Sequence, residues 1–189
     1  KNAVKYLQKR DITRKEILKY GIGYCEEGLY RYRIIIPSYT NDGTLNYFVG
    51  RDYYGGSMKY KNPRVSKDVV GFESMIDWNQ PVILCEGVFD AIAIKRNAIP
   101  LFGKTLPPQL LKRLVQHKVK KLYLILDSDA QKDSMKIVDK LKSYQIDVNM
   151  ITLKDKDPSE LGFEKTINLI KQTKDSLSFS DIMKMKLGA

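Results

Sequence analysis

The chain has 189 residues, 33 Lys and Arg against 22 Asp and Glu, a formal net charge of +11 and 12 tyrosines. That length supports one sizeable core or two small packed lobes, and the positive excess points to a polyanionic partner. No apolar run approaches the roughly 18 residues of a spanning helix and the charged N-terminus is unlike a signal sequence, so a soluble, cytoplasmic protein without a membrane segment is expected. Two cysteines, Cys25 and Cys85, and one histidine supply neither a disulfide framework nor a structural zinc site, so the cysteines are expected to pack.

Residues 3–20 predict two short helices, with Val4 and Leu7 apolar on the first and a break near Asp11. Thr13 caps the second and Glu16 completes a capping box, ahead of Ile17 and Leu18. From residue 22 to residue 60 the pattern becomes short strands at 22–25, 30–36, 45–50 and 57–60, separated by Glu-Glu-Gly, Asn-Asp-Gly and Tyr-Gly-Gly turn signals. After Pro81 strand and helix alternate: strand 82–85, helix 87–97, strand 99–101, helix 107–117, strand 121–126, helix 130–144 and strand 147–151. Leu110, Leu111, Leu114 and Val115 are expected on one face of the 107–117 helix, and Met135, Val138 and Leu141 inward on the 130–144 helix. Pro158 opens a further helix to about residue 173. The resulting division is a basic α+β lobe over 1–80, a parallel α/β unit over 81–175 and a terminal helix or linker over 176–189. With Lys1 rather than Met at the start, an excised domain or a processed chain is expected.

Two strands end in acid. Val82-Ile-Leu-Cys delivers Glu86 and Gly87 to the C-terminal end of a buried strand, and Leu122-Tyr-Leu-Ile-Leu delivers Asp127-Ser-Asp129 to another. If the strands are parallel neighbours, the three carboxylates meet in one crevice. Like charges so close repel, and a hard cation such as Mg²⁺ relieves that repulsion. Either acid alone could instead cap a helix or bind a ribose.

The set Glu86-Gly87, Asp90, Gly103 and Asp127-x-Asp129 resembles the topoisomerase–primase (TOPRIM) fold. The strings Tyr6-Leu-Gln-Lys-Arg-Asp-Ile-Thr, Gly21-Ile-Gly-Tyr24, Tyr30-Arg-Tyr-Arg-Ile-Ile-Ile-Pro37, Gly50-Arg51 and Lys59-Tyr60-Lys-Asn62-Pro63 in front of it look like the catalytic core of bacterial and phage DNA primases. The resemblance spans roughly residues 5–165 and implies a TOPRIM-type parallel α/β sheet preceded by a small mixed α+β basic lobe that grips template. It implies a metal-dependent nucleotidyltransferase making short primers on single-stranded DNA from nucleoside triphosphates, with Mg²⁺ or Mn²⁺ as cofactor and a replicative helicase as partner. Asp127, Asp129 and Asp157 would hold metal, with Asp155 nearby, and Glu86 would ligate or move a proton. Gly87, Asp90 and Gly103 would support the site. Arg33, Arg51, Lys59, Lys61 and Asn62 would bind template or nucleotide, and Tyr53, Tyr54 and Tyr60 could stack on bases or simply pack. The family's Asp-Gly-Asp reads Asp127-Ser-Asp129 here, and Lys67 is the candidate for the lysine before the first acidic strand. Asp157 could also cap the helix that Pro158 begins.

Two rivals use much of the same chemistry. A metal-dependent nuclease of this fold would not need the β lobe, and a non-catalytic single-strand-binding module would not need every acid. A topoisomerase fragment and a zinc-bearing recombination mediator find no support in the residues.

Overall fold

The computed structural model describes residues 2–126, 131–152, 158 and 163–172. The N-terminal helices α1 (Asn2–Gln8) and α2 (Arg14–Lys19) are separated at Asp11, which adopts φ 55°. Thr13 closes the N-terminus of α2: its hydroxyl accepts from the Lys15 amide, and the Glu16 carboxylate accepts from the Thr13 amide and hydroxyl. Ala3 and Leu7 form the buried stripe of α1, one helical turn apart, which leaves Val4 exposed; on α2 Ile17 packs inward and Leu18 is exposed.

Three antiparallel strands follow, β1 (Gly23–Cys25), β2 (Arg33–Tyr39) and β3 (Leu45–Asp52), in the order β1-β2-β3. The fourth strand expected at 57–60 is reduced to a single bridge, Arg51 with Tyr60, continued by a Lys61 amide bond to the Gly50 carbonyl. The cause is Asp52. Its carboxylate accepts from the Tyr54, Gly55 and Gly56 amides, which rolls the chain into a turn rather than a ladder. Burial alone would raise the Asp52 pKa, but those three amides, with help from Arg33, hold it below the usual carboxylate value.

The apolar run Val82-Ile-Leu-Cys85 has no polar face and must be covered on both sides. It forms β4 (Val82–Cys85), buried throughout and followed by α3 (Val88–Ile94), β5 (Ala98–Pro100), α4 (Pro108–Gln116), β6 (Lys121–Leu126), α5 (Gln131–Lys142), β7 (Asp147–Thr152) and α6 (Phe163–Gln172). The strands make a four-stranded parallel sheet in the order β5-β4-β6-β7. Cys85 stands beside Pro100 on one side and Ile125 on the other, so β4 and β5 finish level and β6 runs one residue further. Met135, Val138 and Leu141 are buried on α5, and Leu110, Leu111 and Leu114 on α4; Val115, one residue round the helix from Leu114, is exposed. Cys85 is buried and Cys25 partly so. No helix among the described residues is long and apolar enough to cross a membrane.

The segment between the sheets is a stitched strap. Ser38 Oγ accepts the Phe72 amide at 2.9 Å, Asn46 Nδ2 donates to the Val70 carbonyl at 3.0 Å, and Asp68 Oδ1 accepts the Gln109 amide at 2.8 Å, acting as the cap that Pro107 cannot supply to α4. Buried Glu73 meets Arg113 at 2.7 Å. Gly71 lies so close to Pro100 that an added Cβ would collide with its carbonyl oxygen.

Glu16 also reaches across to α3, 3.3 Å from Lys95 Nζ. Burial alone would raise its pKa, but the Thr13 hydroxyl and amide and then Lys95 overcome that and hold it at about 2, below the ordinary 4.5. A lowered folded-state pKa contributes stability that is complete above the unfolded value and disappears as pH falls through the folded one. Stability in denaturant titrations is therefore expected to fall between about pH 4.5 and pH 2, and the slope should flatten in Glu16→Gln, which keeps the capping geometry but not the charge. An equal slope in both proteins would show that this carboxylate does not carry the acid sensitivity.

Candidate active site

Where β4 ends, a cavity of about 450 Å³ opens between the sheet and the N-terminal lobe. Its acidic wall is Glu86 and Asp90; its basic wall is Arg10, Arg51, Lys59 and Lys67, with Asn62 and Tyr60 between. Glu86 is the first residue after β4. Buried Asp90, on the first turn of α3, accepts the Gly87 amide at 3.1 Å and so fixes the corner through which Glu86 leaves the strand. Gly103, also in the lining, has φ 157°, a conformation that a side chain disfavours.

Arg51 is the unusual member. It is only 8% exposed, with its guanidinium 4.7 Å from the Tyr60 ring and 5.6 Å from the Tyr6 ring. Among the described residues its Nε and Nη1 have no hydrogen-bond partner. A buried cation held by aromatic faces and keeping unused donors is prepared for an anion arriving in the cavity. The neighbouring segment is held against it: Gly50 donates to Asn62 Oδ1 at 3.3 Å, and the Lys61 carbonyl comes so near Gly50 Cα that a Cβ there would overlap it. Lys59 and Asn62 are thereby fixed beside Arg51 in the lining.

The candidates from the sequence divide three ways. Glu86, Gly87, Asp90, Gly103, Arg51, Lys59 and Asn62 come together in this cavity, and so does Lys67, whose Nζ donates to the Phe102 carbonyl at 2.8 Å. Arg33 and Lys61 lie outside the lining. Arg33 braces the turn by donating to the Met58 carbonyl at 3.0 Å, and Lys61 Nζ sits 5.9 Å from the Tyr30 ring. Asp127, Asp129, Asp155 and Asp157 lie outside the described residues; in the sequence Asp127 directly follows Leu126, the last residue of β6. Of the tyrosines, Tyr60 lines the cavity and covers Arg51, Tyr54 stacks on Tyr32 at 4.6 Å, and Tyr53 packs against the core.

Arg10 is the residue the sequence offered no role for. It lies 4.9 Å over the Phe89 ring and donates to Tyr6 Oη at 3.1 Å. Its four-residue spacing from Tyr6 on α1 was the available signal, but its distance in sequence from Phe89 hid the contact.

These features define a Toprim-like α/β domain set against a basic lobe: residues 83–162 match the family described as Toprim-like. The whole arrangement has the fold of DnaG-type primase catalytic cores. The Aquifex aeolicus primase (zinc-binding and RNA polymerase domains) superposes with TM-score 0.81 at 21% identity, covering 93% of this chain and 56% of that one. A DnaG primase catalytic domain bound to ssDNA superposes with TM-score 0.81 at 17% identity, covering 98% and 77%. The chain belongs to the family of the Mycoplasma genitalium protein called Uncharacterized protein MG010, being 32% identical over 162 residues, 79% of this chain and 72% of that protein. The DNA primase of Thermotoga maritima is 25% identical over 95% of this chain, which spans 40% of that relative's length.

The tight seat of Gly50 gives a prediction. Gly50→Ala should push the Lys61 carbonyl away, lowering stability by about 1–3 kcal/mol and, if the cavity takes an oligonucleotide, weakening its binding beyond what unfolding accounts for. Denaturant titration and fluorescence anisotropy check the two effects; unchanged affinity in the folded variant would mean that the 59–62 segment does not hold ligand.

Proposed function

We propose that this chain is a primase catalytic core, joining nucleotides into short primers on single-stranded DNA. The observation that carries the proposal is the cavity at the C-terminal end of β4, where Glu86 faces a wall of cations dominated by the buried Arg51. Its neighbour β6 runs parallel to it and leads, in the sequence, straight into Asp127-Ser-Asp129. The donor set of Glu86, Asp127, Asp129, Asp157 and Asp155 is entirely oxygen, which fits a hard cation of the Mg²⁺ or Mn²⁺ kind. Such an ion, when bound, neutralises charge on the phosphate undergoing displacement.

The chain's own residues supply the rest. Arg51, Lys59 and Arg10 hold the triphosphate or template phosphates as fixed cations, and Arg51 offers preorganised donors, so little reorganisation is needed at reaction. Glu86 takes up a proton or a metal bond at the attacking side, while Asp90 holds the corner from which it acts. Tyr60 keeps water from the inner face of Arg51. Template single-stranded DNA, nucleoside triphosphates and an assisting helicase are the partners this reading requires. A nuclease reading uses the same acids, but it has no need of the antiparallel lobe packed in front of the parallel sheet.

Template-directed synthesis separates the two. With single-stranded template, Mn²⁺ or Mg²⁺ and labelled nucleoside triphosphates, the protein should make short products, and Glu86→Gln should reduce their rate by a factor of about a hundred or more while leaving template affinity unchanged. Template cleavage without incorporation, in this chain and in a longer protein containing it, would favour the nuclease.

The metal proposal has its own test, by calorimetry. The double variant Asp127→Asn with Asp129→Asn should lose saturable Mn²⁺ binding yet keep its circular dichroism spectrum; an identical titration would remove these two residues from the ligand set.

A further inference from the structure

A second cavity, of about 320 Å³, lies at the other end of the parallel sheet and shares no lining residue with the first. It is formed where the chain enters β4 and β6, by Trp78, Pro81, His117, Lys118, Lys120 and Lys121 among others, and no carboxylate lines it. The sequence prepares this imbalance, since from Ala91 to Leu126 there is no acidic residue. Lys118, Lys120 and Lys121 are exposed, and none has an ion-pair partner among the described residues. Two carboxylates border the site: Asp77 Oδ1 accepts the Asn79 amide at 3.0 Å, and Asp147 begins β7 in register with Lys121. The lysines outnumber them.

The aromatic content is as particular as the charge. The rings of Trp78 and His117 are stacked, 4.6 Å apart with planes 2° from parallel. His117 remains exposed although Trp78 covers one of its faces, so its second face is open to another flat ring. The indole Nε1 is buried and has no hydrogen-bond partner among the described residues. Cations that follow a phosphate backbone, combined with a π face that takes a base of any identity, are the two components of single-strand binding. A duplex offers the phosphates but hides the bases.

We propose that this cavity is a second contact for single-stranded nucleic acid, in which Lys118, Lys120 and Lys121 grip phosphates while one unpaired base stacks on the Trp78–His117 pair. It lies beyond the catalytic cleft and rests on the single-strand-binding part of the function proposed above, not on its chemistry.

Trp78 is the only tryptophan in the chain, so its fluorescence in the unmodified protein reports this cavity and not the cleft. A short oligothymidylate should quench that fluorescence saturably, while anisotropy of a labelled copy of the same oligonucleotide measures total binding. In Lys118→Ala with Lys120→Ala the log–log salt slope of the quenching curve should fall by about 1.4. In His117→Ala the affinity read by Trp78 should drop roughly fivefold or more. The lysines are exposed, so these variants keep the fold, and Arg51→Ala should retain the full quenching amplitude at saturation. Silence of Trp78 while anisotropy saturates would overturn the second contact and leave the cleft reading standing. Absence of any oligonucleotide binding would overturn both. Quenching as strong from duplex DNA, or from thymidine triphosphate at equal nucleotide concentration, would overturn the assignment to a single strand.

Discussion

Helix α3 is the constraint on which the rest depends. Six of its residues are buried, Val88 to Ile92 and Ile94, because it is covered by the parallel sheet on one side and by the N-terminal lobe on the other. Val88, Phe89, Ala91 and Ile92 belong to the same apolar cluster as Ile34, Ile36, Tyr47 and Val49 from the antiparallel sheet and Ala3 and Leu7 from α1. At about 25 cal/mol for each Å² of apolar surface removed from water, this shared cluster outweighs the isolated polar stitches along the strap. The acid-bearing strand end and the cation-bearing strand β3 are therefore held opposite each other by packing. Their own electrostatic attraction is not what sets the spacing.

That division of labour explains how Arg51 can exist. A guanidinium taken out of water with no carboxylate partner among the described residues is unfavourable, and aromatic faces return only part of what is lost. The apolar cluster stabilises the fold enough to tolerate it. The desolvation is thus incurred on folding rather than on ligand binding, so an incoming phosphate meets donors that are already dry and oriented. Asp52, the nearest acid in sequence, is engaged by the amides of the turn after β3 and does not quench Arg51. The turn that costs the lobe its fourth strand is the same device that keeps the cleft basic.

What the sequence revealed follows from the range of the signals. Local patterns were legible: the Thr13–Glu16 capping box, the run Val82 to Cys85 as a strand buried on both faces, and the alternation after Pro81 each depend on neighbours within a few residues. The pairing of β4 with β6 entered the sequence reading only as the condition for the acids to meet, and the register of Cys85 with Ile125 meets it. Side-chain outcomes set by distant partners were not legible. Val115 and Leu18 look apolar-inward by periodicity and are exposed, since no opposing surface meets them. Arg33 sits in the basic string yet braces a turn, while Arg10 enters the cavity through Phe89, far along the chain. Charge counts name the cations of a site but not which of them the fold admits.

The positive charge is distributed unevenly around the parallel sheet, and this bears on how nucleic-acid binding by such a chain is to be understood. Of the cations at the C-terminal strand ends Arg51 is buried and Arg10 half-buried, while Lys59 and Lys67 are exposed, and all four share their cavity with Glu86 and Asp90, so their field responds to whatever neutralises those acids. Those at the N-terminal strand ends are exposed and have no acid in their cavity. Their attraction is screened by salt over about 10 Å at 0.1 M and is indifferent to metal. If both cavities take nucleic acid as proposed, the salt dependence of the total affinity counts phosphates on both faces, whereas any metal dependence counts only the cleft. A single dissociation constant for the chain would then mix the two contacts, and only a probe confined to one face separates them.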